Sequence, residues 1–281
     1  MGPMDLGQIL GSDVVQARQP IGFAGIEWSN PITQGLVFAD TPTDGLFDQV
    51  TGLPGTITGS HVSIAPGQMG LGYIFDGSQA NDALSWGLNF TGVNNATQLT
   101  IASLALPVTP GGTQNYALAD CSGYASGCKM WIGWYGGVWS PGIQVGGAGT
   151  NYDIGIAPST YCAQGTPNVP HLWAGSWIAP GGAAQYWQFY IDGTSCTSQQ
   201  YGGYPNNYIG SIINPLQVGQ DGSGEPFVGQ IYLTLIWNRA LTAAEHASLA
   251  ANPWQVFRGP ILGWLISSGL GADILLGQCC L

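Results

Sequence analysis

The sequence predicts an all-β fold, an antiparallel β-sandwich carrying one short α-helix near residues 242-251, and three observations support this. Glycine occurs 45 times, much of it in turn dipeptides that separate short β-prone pieces at the spacing of a sandwich. Tryptophan (11) and tyrosine (12) are abundant while charged residues make up only 7%, a composition that fits many strands and argues against a helical bundle. The stretch from Phe227 to Phe257, FVGQIYLTLIWNRALTAAEHASLAANPWQVF, reads as a strand, a capped helix and a chain exit in one pass. At 281 residues the chain can bury about three quarters of its unfolded surface. One main domain with extensions is the simplest division: an arm over residues 1-25, a sandwich over 26-258 and an apolar tail over 259-281.

The elements follow in order. In the arm, Gly, Pro and polar residues break any period. Ile26 to Phe38 enters the domain, with Asn30-Pro31 marking a turn before the first strand. From Asp40 to Gly70 the dipeptides Asp44-Gly45, Thr51-Gly52, Pro54-Gly55 and Pro66-Gly67 separate short strands. Asp76-Gly77 and Asp192-Gly193 are expected to be hairpin turns, because glycine accepts a positive φ without steric penalty. Leu99 to Val108 alternates as a strand does. In Lys129 to Ser140, KMWIGWYGGVWS, alternation puts Trp131 and Tyr135 on one face and Met130, Ile132 and Trp134 on the other, so at least half of this cluster is core. Ile231, Leu233, Leu235 and Trp237 alternate with Tyr232, Thr234 and Ile236, which describes a central strand covered on both faces. Thr242 to Glu245 is a capping box; Leu249 turns inward with Leu241, and Asn252-Pro253 ends the helix. Beyond Pro260 two apolar runs hold one charge, Asp273. Two readings stay open there: a final strand of the same sandwich, or an arm packed on a neighbouring subunit through Ile261, Leu262, Trp264, Leu265, Ile274, Leu275 and Leu276.

The Phe-x-Gly-x-Ile strand, the run Trp237-Asn238-Arg239-Ala240-Leu241, the Glu245 helix and Asn252-Pro253-Trp254-Gln255-Val256-Phe257 together resemble the closing segment of concanavalin A-like, laminin G-type jelly-roll domains, in the form found in bacteriophage and prophage structural proteins. Upstream, Gly35 to Ala39 resembles the family's opening strand and Tyr73 to Gly77 its second. His171 to Ser176 with Gln188 to Gly193 resembles the hairpin before the end, and Leu216 to Gly219 the strand leading into it. The resemblance spans roughly Gly35 to Phe257 and implies the fold. It implies calcium as one option, since such domains often hold a cation at the rim. Asp120, Asp153 and Asp221, read as loop residues, would supply the oxygens, but they form no dense acidic cluster, and neither a cofactor nor a metal is assigned.

The charge balance narrows the function. Four basic residues against 15 acidic ones give a formal net charge of -11, which disfavours nucleic acid and anionic membranes as partners. No stretch reaches the roughly 18 apolar residues of a membrane-spanning helix. The N-terminus lacks the basic and apolar regions of a secretory signal. The six cysteines include Cys121 and Cys128, which can close a loop, and Cys162 and Cys196; spacing alone fixes no pairing. Glycoside hydrolysis needs two carboxylates across a cleft, and no E-x-D or E-x-x-x-E pattern is present among the three glutamates, so no catalytic residue is assigned and the chain is not expected to be an enzyme. His171, isolated before a strand, reads as structural.

The scarcity of charge also suggests surface hidden in an assembly. The leading expectation is therefore a non-enzymatic virion structural protein, a capsid decoration or head-fibre protein assembled in the host cytoplasm as a homo-oligomer packed on capsid or tail neighbours. The alternative is a carbohydrate-binding adhesion module that contacts a surface glycan through Trp131, Tyr135 or Trp139.

Overall fold

The computed structural model describes Gln19 and residues 25–258, except 44, 79–81, 88–89, 109–114, 122–126, 136–137, 147–151, 157–164, 180–186, 198, 204–206, 213 and 221–225. The predicted tail contacts from Ile261 to Leu276, most of the arm, and Cys162, Asp221 and Glu225 lie outside the described residues. The first eight strands are β1 (Leu36–Asp40), β2 (Thr56–Thr58), β3 (Val62–Gly67), β4 (Gly70–Phe75), β5 (Ala83–Trp86), β6 (Gln98–Pro107), β7 (Asn115–Asp120) and β8 (Gly127–Tyr135). The rest are β9 (Val138–Gly146), β10 (Tyr152–Ile156), β11 (His171–Ile178), β12 (Trp187–Ile191), β13 (Thr194–Cys196), β14 (Gln199–Gly203), β15 (Leu216–Val218) and β16 (Gly229–Trp237), followed by helix α1 (Ala243–Ala251).

The strands form two antiparallel sheets. The first runs β13-β12-β11-β6-β16-β4-β3, with β1 also paired to β16, and the second runs β14-β10-β9-β8-β7-β15-β5-β2. The predicted antiparallel sandwich is therefore the observed fold. Between the sheets lies one hydrophobic core, filled by Phe38, Phe75, Trp86, Met130, Trp139, Trp173, Trp177, Trp187 and Ile236 among others. A second cluster covers the outer face of the first sheet, where Leu104, Leu172, Leu233, Leu235 and Trp237 meet Leu241, Leu249, Trp254, Val256 and Phe257 from the closing segment.

β16 is buried along all nine residues, as the sequence predicts for a central strand covered on both faces. Its alternation is not continuous, however. The pairing with β6 shifts between Ile231, opposite Ala105, and Leu233, opposite Leu104, so that Tyr232 is an extra residue in a β-bulge. Ile231 consequently faces the core between the sheets while Leu233, Leu235 and Trp237 face the closing segment, where an unbroken period would place all four together.

The helix docks through polar groups as well as apolar ones. Thr242 caps α1 and Glu245 completes the predicted box. The Arg239 guanidinium donates to both Glu245 oxygens at 2.7 and 3.0 Å and through Nε to the Gln34 carbonyl at 2.6 Å, tying the helix start to the chain entering β1. That fork holds the Glu245 carboxyl down to about 2. Below it, Thr100, Ser176 and His246 form a buried chain of hydrogen bonds at 2.8 and 3.0 Å, and the His246 ring stacks on Tyr190 at 3.9 Å. Burial pushes His246 down to about 4.

Turns behave as expected at one of the two predicted hairpins. Asp192 and Gly193 have φ of 51° and 74° and join the paired strands β12 and β13, the two left-handed residues of a tight hairpin. Asp76-Gly77 is not a hairpin: β4 pairs with β3 and β16 whereas β5 pairs with β2 and β15, so the chain here crosses from one sheet to the other. Gln19, in the predicted arm, docks on the β4 edge, donating to the Leu71 carbonyl at 2.8 Å and accepting from the Leu71 amide at 2.6 Å. Cys121 and Cys128 are unbridged thiols buried 2.8 Å apart, so the loop closure that their spacing allows is not made, and Cys196 is disulfide-bonded. The Cys121 contact and burial together raise the Cys128 thiol well above its usual range.

His246 makes stability depend on pH in a definite direction. The unfolded chain protonates this imidazole near pH 6.5 and the folded one only near 4, so stability falls as pH drops through that window. The Glu245 stabilisation is fully present above about 4.5 and is lost lower, as pH falls towards about 2. Comparing wild type with His246→Gln, which keeps a polar partner for Ser176, separates the histidine from Asp40, whose raised carboxyl acts in the opposite sense: in urea unfolding from about pH 7 to about pH 5 the wild type should lose about 1–2 kcal/mol relative to the variant.

Candidate functional site

The second sheet presents an outer face that neither hydrophobic cluster includes. Its strands alternate with period two, apart from a bulge in β7 that puts both Leu118 and Ala119 in the core. Leu84, Trp86, Tyr116, Leu118, Met130, Ile132, Ile143, Val145, Leu216 and Val218 point into the core, leaving the residues between them on the other side. Antiparallel register then aligns those outward residues across the sheet. Thr56 pairs with Ser85, Ser85 with Gln217, Gln217 with Asp120, Asp120 with Lys129, Lys129 with Gln144, and Gln144 with Ile154. Directly paired residues share a face. Six polar side chains therefore stand in one cross-strand row from β2 to β9, and at about 4.8 Å per strand interval the row is roughly 24 Å long.

The row mixes hydrogen-bonding types. Thr56 and Ser85 offer hydroxyls, Gln217 and Gln144 amides, Asp120 a carboxylate and Lys129 an ammonium. Ser85, Gln217, Lys129 and Gln144 are half-buried, and Asp120 is 5% exposed. The next row holds Ala117, Trp131, Gly142 and Ile156 in register. Trp131 lies over Gly142, where an added Cβ would come within 2.5 Å of the indole, so the missing side chain makes room for the ring. The Lys129 ammonium sits 5.7 Å from the Trp131 ring centre, at cation–π range.

The three aromatics predicted to touch a glycan are not equivalent. Trp139 is fully buried in the inter-sheet core against Tyr116 at 4.6 Å, so it has no face to offer; its parity on β9 matches Ile143 and Val145. Trp131 is on the outer face, as alternation predicts, but only 9% exposed. Tyr135 occupies the end of β8, and its side chain lies outside the described residues. Asp120 and Asp153, read from the sequence as loop residues, are in β7 and β10. His171 is a structural tie: its Nδ1 meets the Asp192 carboxylate at 2.6 Å and its Nε2 the Thr166 hydroxyl at 2.8 Å, while Asp192 accepts from the Leu172 amide. Ser85, Gln144 and Gln217 escape sequence reading because each is one polar residue between apolar neighbours. Their only local signal is that alternation, and the row exists only through pairing of strands far apart in the chain.

No family model matches the sequence, and no curated protein matches it. Solved structures do. Domain 4 of AbnA, a GH43 extracellular arabinanase from Geobacillus stearothermophilus solved in complex with arabinotriose, aligns with a TM-score of 0.52 at 18% identity over 76% of this chain and 98% of that one. The binding domain of Paraclostridial Mosquitocidal Protein 1 aligns at 0.56 and 15% identity, over 78% of this chain and 52% of that one. The receptor binding domain of a botulinum neurotoxin C/D mosaic serotype aligns at 0.55 and 11% identity, over 78% and 51%. At these identities the likeness establishes the β-sandwich fold, consistent with a jelly roll.

The contact between Trp131 and Gly142 gives a direct test of how this face is built. Gly142→Ala should force the indole to move and cost about 1–3 kcal/mol in urea unfolding, with a change in near-ultraviolet circular dichroism. Unchanged stability would show that the ring does not rest on the glycine.

Proposed function

We propose that the chain is a non-catalytic carbohydrate-binding module whose glycan lies along the outer face of the second sheet. The observation that carries this reading is the in-register row of Thr56, Ser85, Gln217, Asp120, Lys129 and Gln144 beside Trp131. A sugar presents many hydroxyls, each both donor and acceptor, and this row offers both kinds at regular spacing. The single positive and single negative side chain in it cancel, which suits a neutral polyol better than an ionic ligand. The edge of Trp131 supplies an apolar floor for a pyranose or furanose C–H face.

The named neighbours support the same reading, since one was solved with arabinotriose and others are binding or receptor-binding domains. They lend nothing to the bacteriophage setting. The virion reading rests on the form of the closing segment, the scarcity of charge and the apolar tail, the last of which lies outside the described residues, and the neighbours favour the binding-module alternative over it. Three of the described carboxylates are committed to the fold itself. Asp40 is buried against the Tyr73 hydroxyl, burial raising its carboxyl well above the usual range; Asp48 accepts from the Ala39 and Val50 amides; Glu245 is held by Arg239.

A glycan panel that includes arabinotriose, followed by calorimetry on the best binder, tests the assignment. Lys129→Ala and Gln144→Ala should each weaken binding about tenfold or more, as expected for lost hydrogen bonds to a ligand, at unchanged melting temperature. Ser63→Ala, an exposed change on the other sheet, should leave affinity alone. Absence of binding across the panel, or full affinity in both row variants, would overturn the reading.

A further inference from the structure

Where the chain passes between the sheets, a second constellation is built. β2 of the second sheet hands over to β3 of the first through the Gly59–His61 turn, and β4 of the first hands over to β5 of the second between Asp76 and Asp82. The two crossovers lie side by side, because Thr58 pairs with Ala83 and Val62 with Phe75. His61, Asp76 and Asp82 are each the residue next to one of those paired ends. One ligand atom from each lies within 4.8 Å of the others, drawn together from positions spread along the chain.

Asp82 points to what this cluster is for. Its side chain is only 1% exposed, yet Oδ2 has no hydrogen-bond partner among the described residues and meets only His61 Nδ1 at 3.3 Å, a contact within ion-pair range. A buried carboxylate oxygen left without a partner is costly. Its other oxygen is taken up by the turn, lying 3.4 Å from the His61 amide, and Gly59 makes that approach possible: with φ at +83°, a Cβ there would lie 1.9 Å from Asp82 Oδ1. Asp76 is anchored by the Ser78 amide at 2.8 Å. His61 and Asp76 are solvent-accessible, the His61 side chain 36% exposed, which leaves an entry path.

The geometry points to a divalent-cation site formed by His61, Asp76 and Asp82, of the type that takes Zn²⁺, clamping the two crossovers. One imidazole nitrogen and two carboxylates suit a borderline cation, whereas calcium asks for roughly six to eight oxygens. Zinc–ligand distances of about 2.0–2.2 Å place neighbouring ligand atoms of a tetrahedron about 3.3–3.6 Å apart. The His61–Asp82 separation of 3.3 Å already meets this, and the exposed Asp76 can close the remainder. The Ser60 hydroxyl, now 3.2 Å from His61 Nδ1, rotates away on binding, and a water completes the fourth position. This site shares no residue with the polar row and does not depend on the glycan reading.

The test is thermal unfolding of the full chain after chelator treatment, with Zn²⁺ or Ca²⁺ added back, alongside visible absorption with Co²⁺ as a coordination probe. Zn²⁺ at a hundredfold excess over its dissociation constant should raise the midpoint by roughly 5–10 °C. His61→Ala and Asp76→Asn, both exposed and expected to fold, should match the metal-free wild type and lose the Zn²⁺ shift and the tetrahedral Co²⁺ bands. No Zn²⁺ shift in the wild type, a shift that persists in both variants, or a larger shift with Ca²⁺ would overturn the proposal.

Discussion

The organising constraint is the burial of β16 on both faces. A strand whose nine residues are all buried needs an apolar layer on each side. The second sheet provides one and the closing segment the other, so the helix and the exit through Trp254, Val256 and Phe257 are as much part of the sandwich as any strand. The Trp237 indole donates to the Ile32 carbonyl at 2.8 Å and Arg239 reaches the neighbouring Gln34 carbonyl, so the chain entering β1 is fastened by the strand that ends the fold. Some of the polar groups caught in this closure answer one another, whereas Thr234 Oγ1, His246 Nδ1 and Trp254 Nε1 have no hydrogen-bond partner among the described residues. Thr100 and Ser176 bridge the first sheet to α1, and Asp40, buried beside β16 and bonded to Tyr73, has its carboxyl pushed well above the usual range by desolvation.

The two sheets consequently have different outer faces. That of the first sheet is covered, and it is mostly Leu, Ala, Tyr and Trp, with Thr100 and Ser176 bonded to the covering segment. That of the second carries Ser, Gln, Asp, Lys and Thr in register. A protein this poor in charge has little need to place its single lysine opposite an aspartate that is nearly buried, if solubility were the only purpose. Opposite charges directly across a ladder contribute only about 0.2–1 kcal/mol. A threonine or valine pair would serve the sheet as well, so the row is better accounted for by what lies along it than by what lies beneath it.

The sequence made legible what depends on neighbours in the chain. Thr242 and Glu245 predict the helix start because a capping box is complete within four residues, and Asp192-Gly193 predicts its hairpin because both positive φ values belong to the turn itself. What depends on pairing was hidden. The Tyr232 bulge is set by how Ala105 and Leu104 sit opposite, and nothing within β16 announces it. Asp76-Gly77 has the chemistry of a hairpin turn, yet the following strand belongs to the other sheet. Trp131 and Trp139 look alike in sequence, and the register that sets Trp139 opposite Trp134 and Trp131 opposite Gly142 puts one outside and the other in the core.

The crossover cluster and the polar row meet on the same short strands. β2 and β5 carry Thr56 and Ser85, which open the row, and their far ends at Thr58 and Ala83 adjoin His61 and Asp82. β2 has three residues and pairs only with β5, so it is the least supported strand of the second sheet. A cation shared by His61, Asp76 and Asp82 would fix the end of that pair and, two residues away, the first two groups of the row. Stability at the crossover and order along the polar row then become one property, and under the proposed glycan reading that order would favour an extended ligand, which gains affinity from groups already held in place.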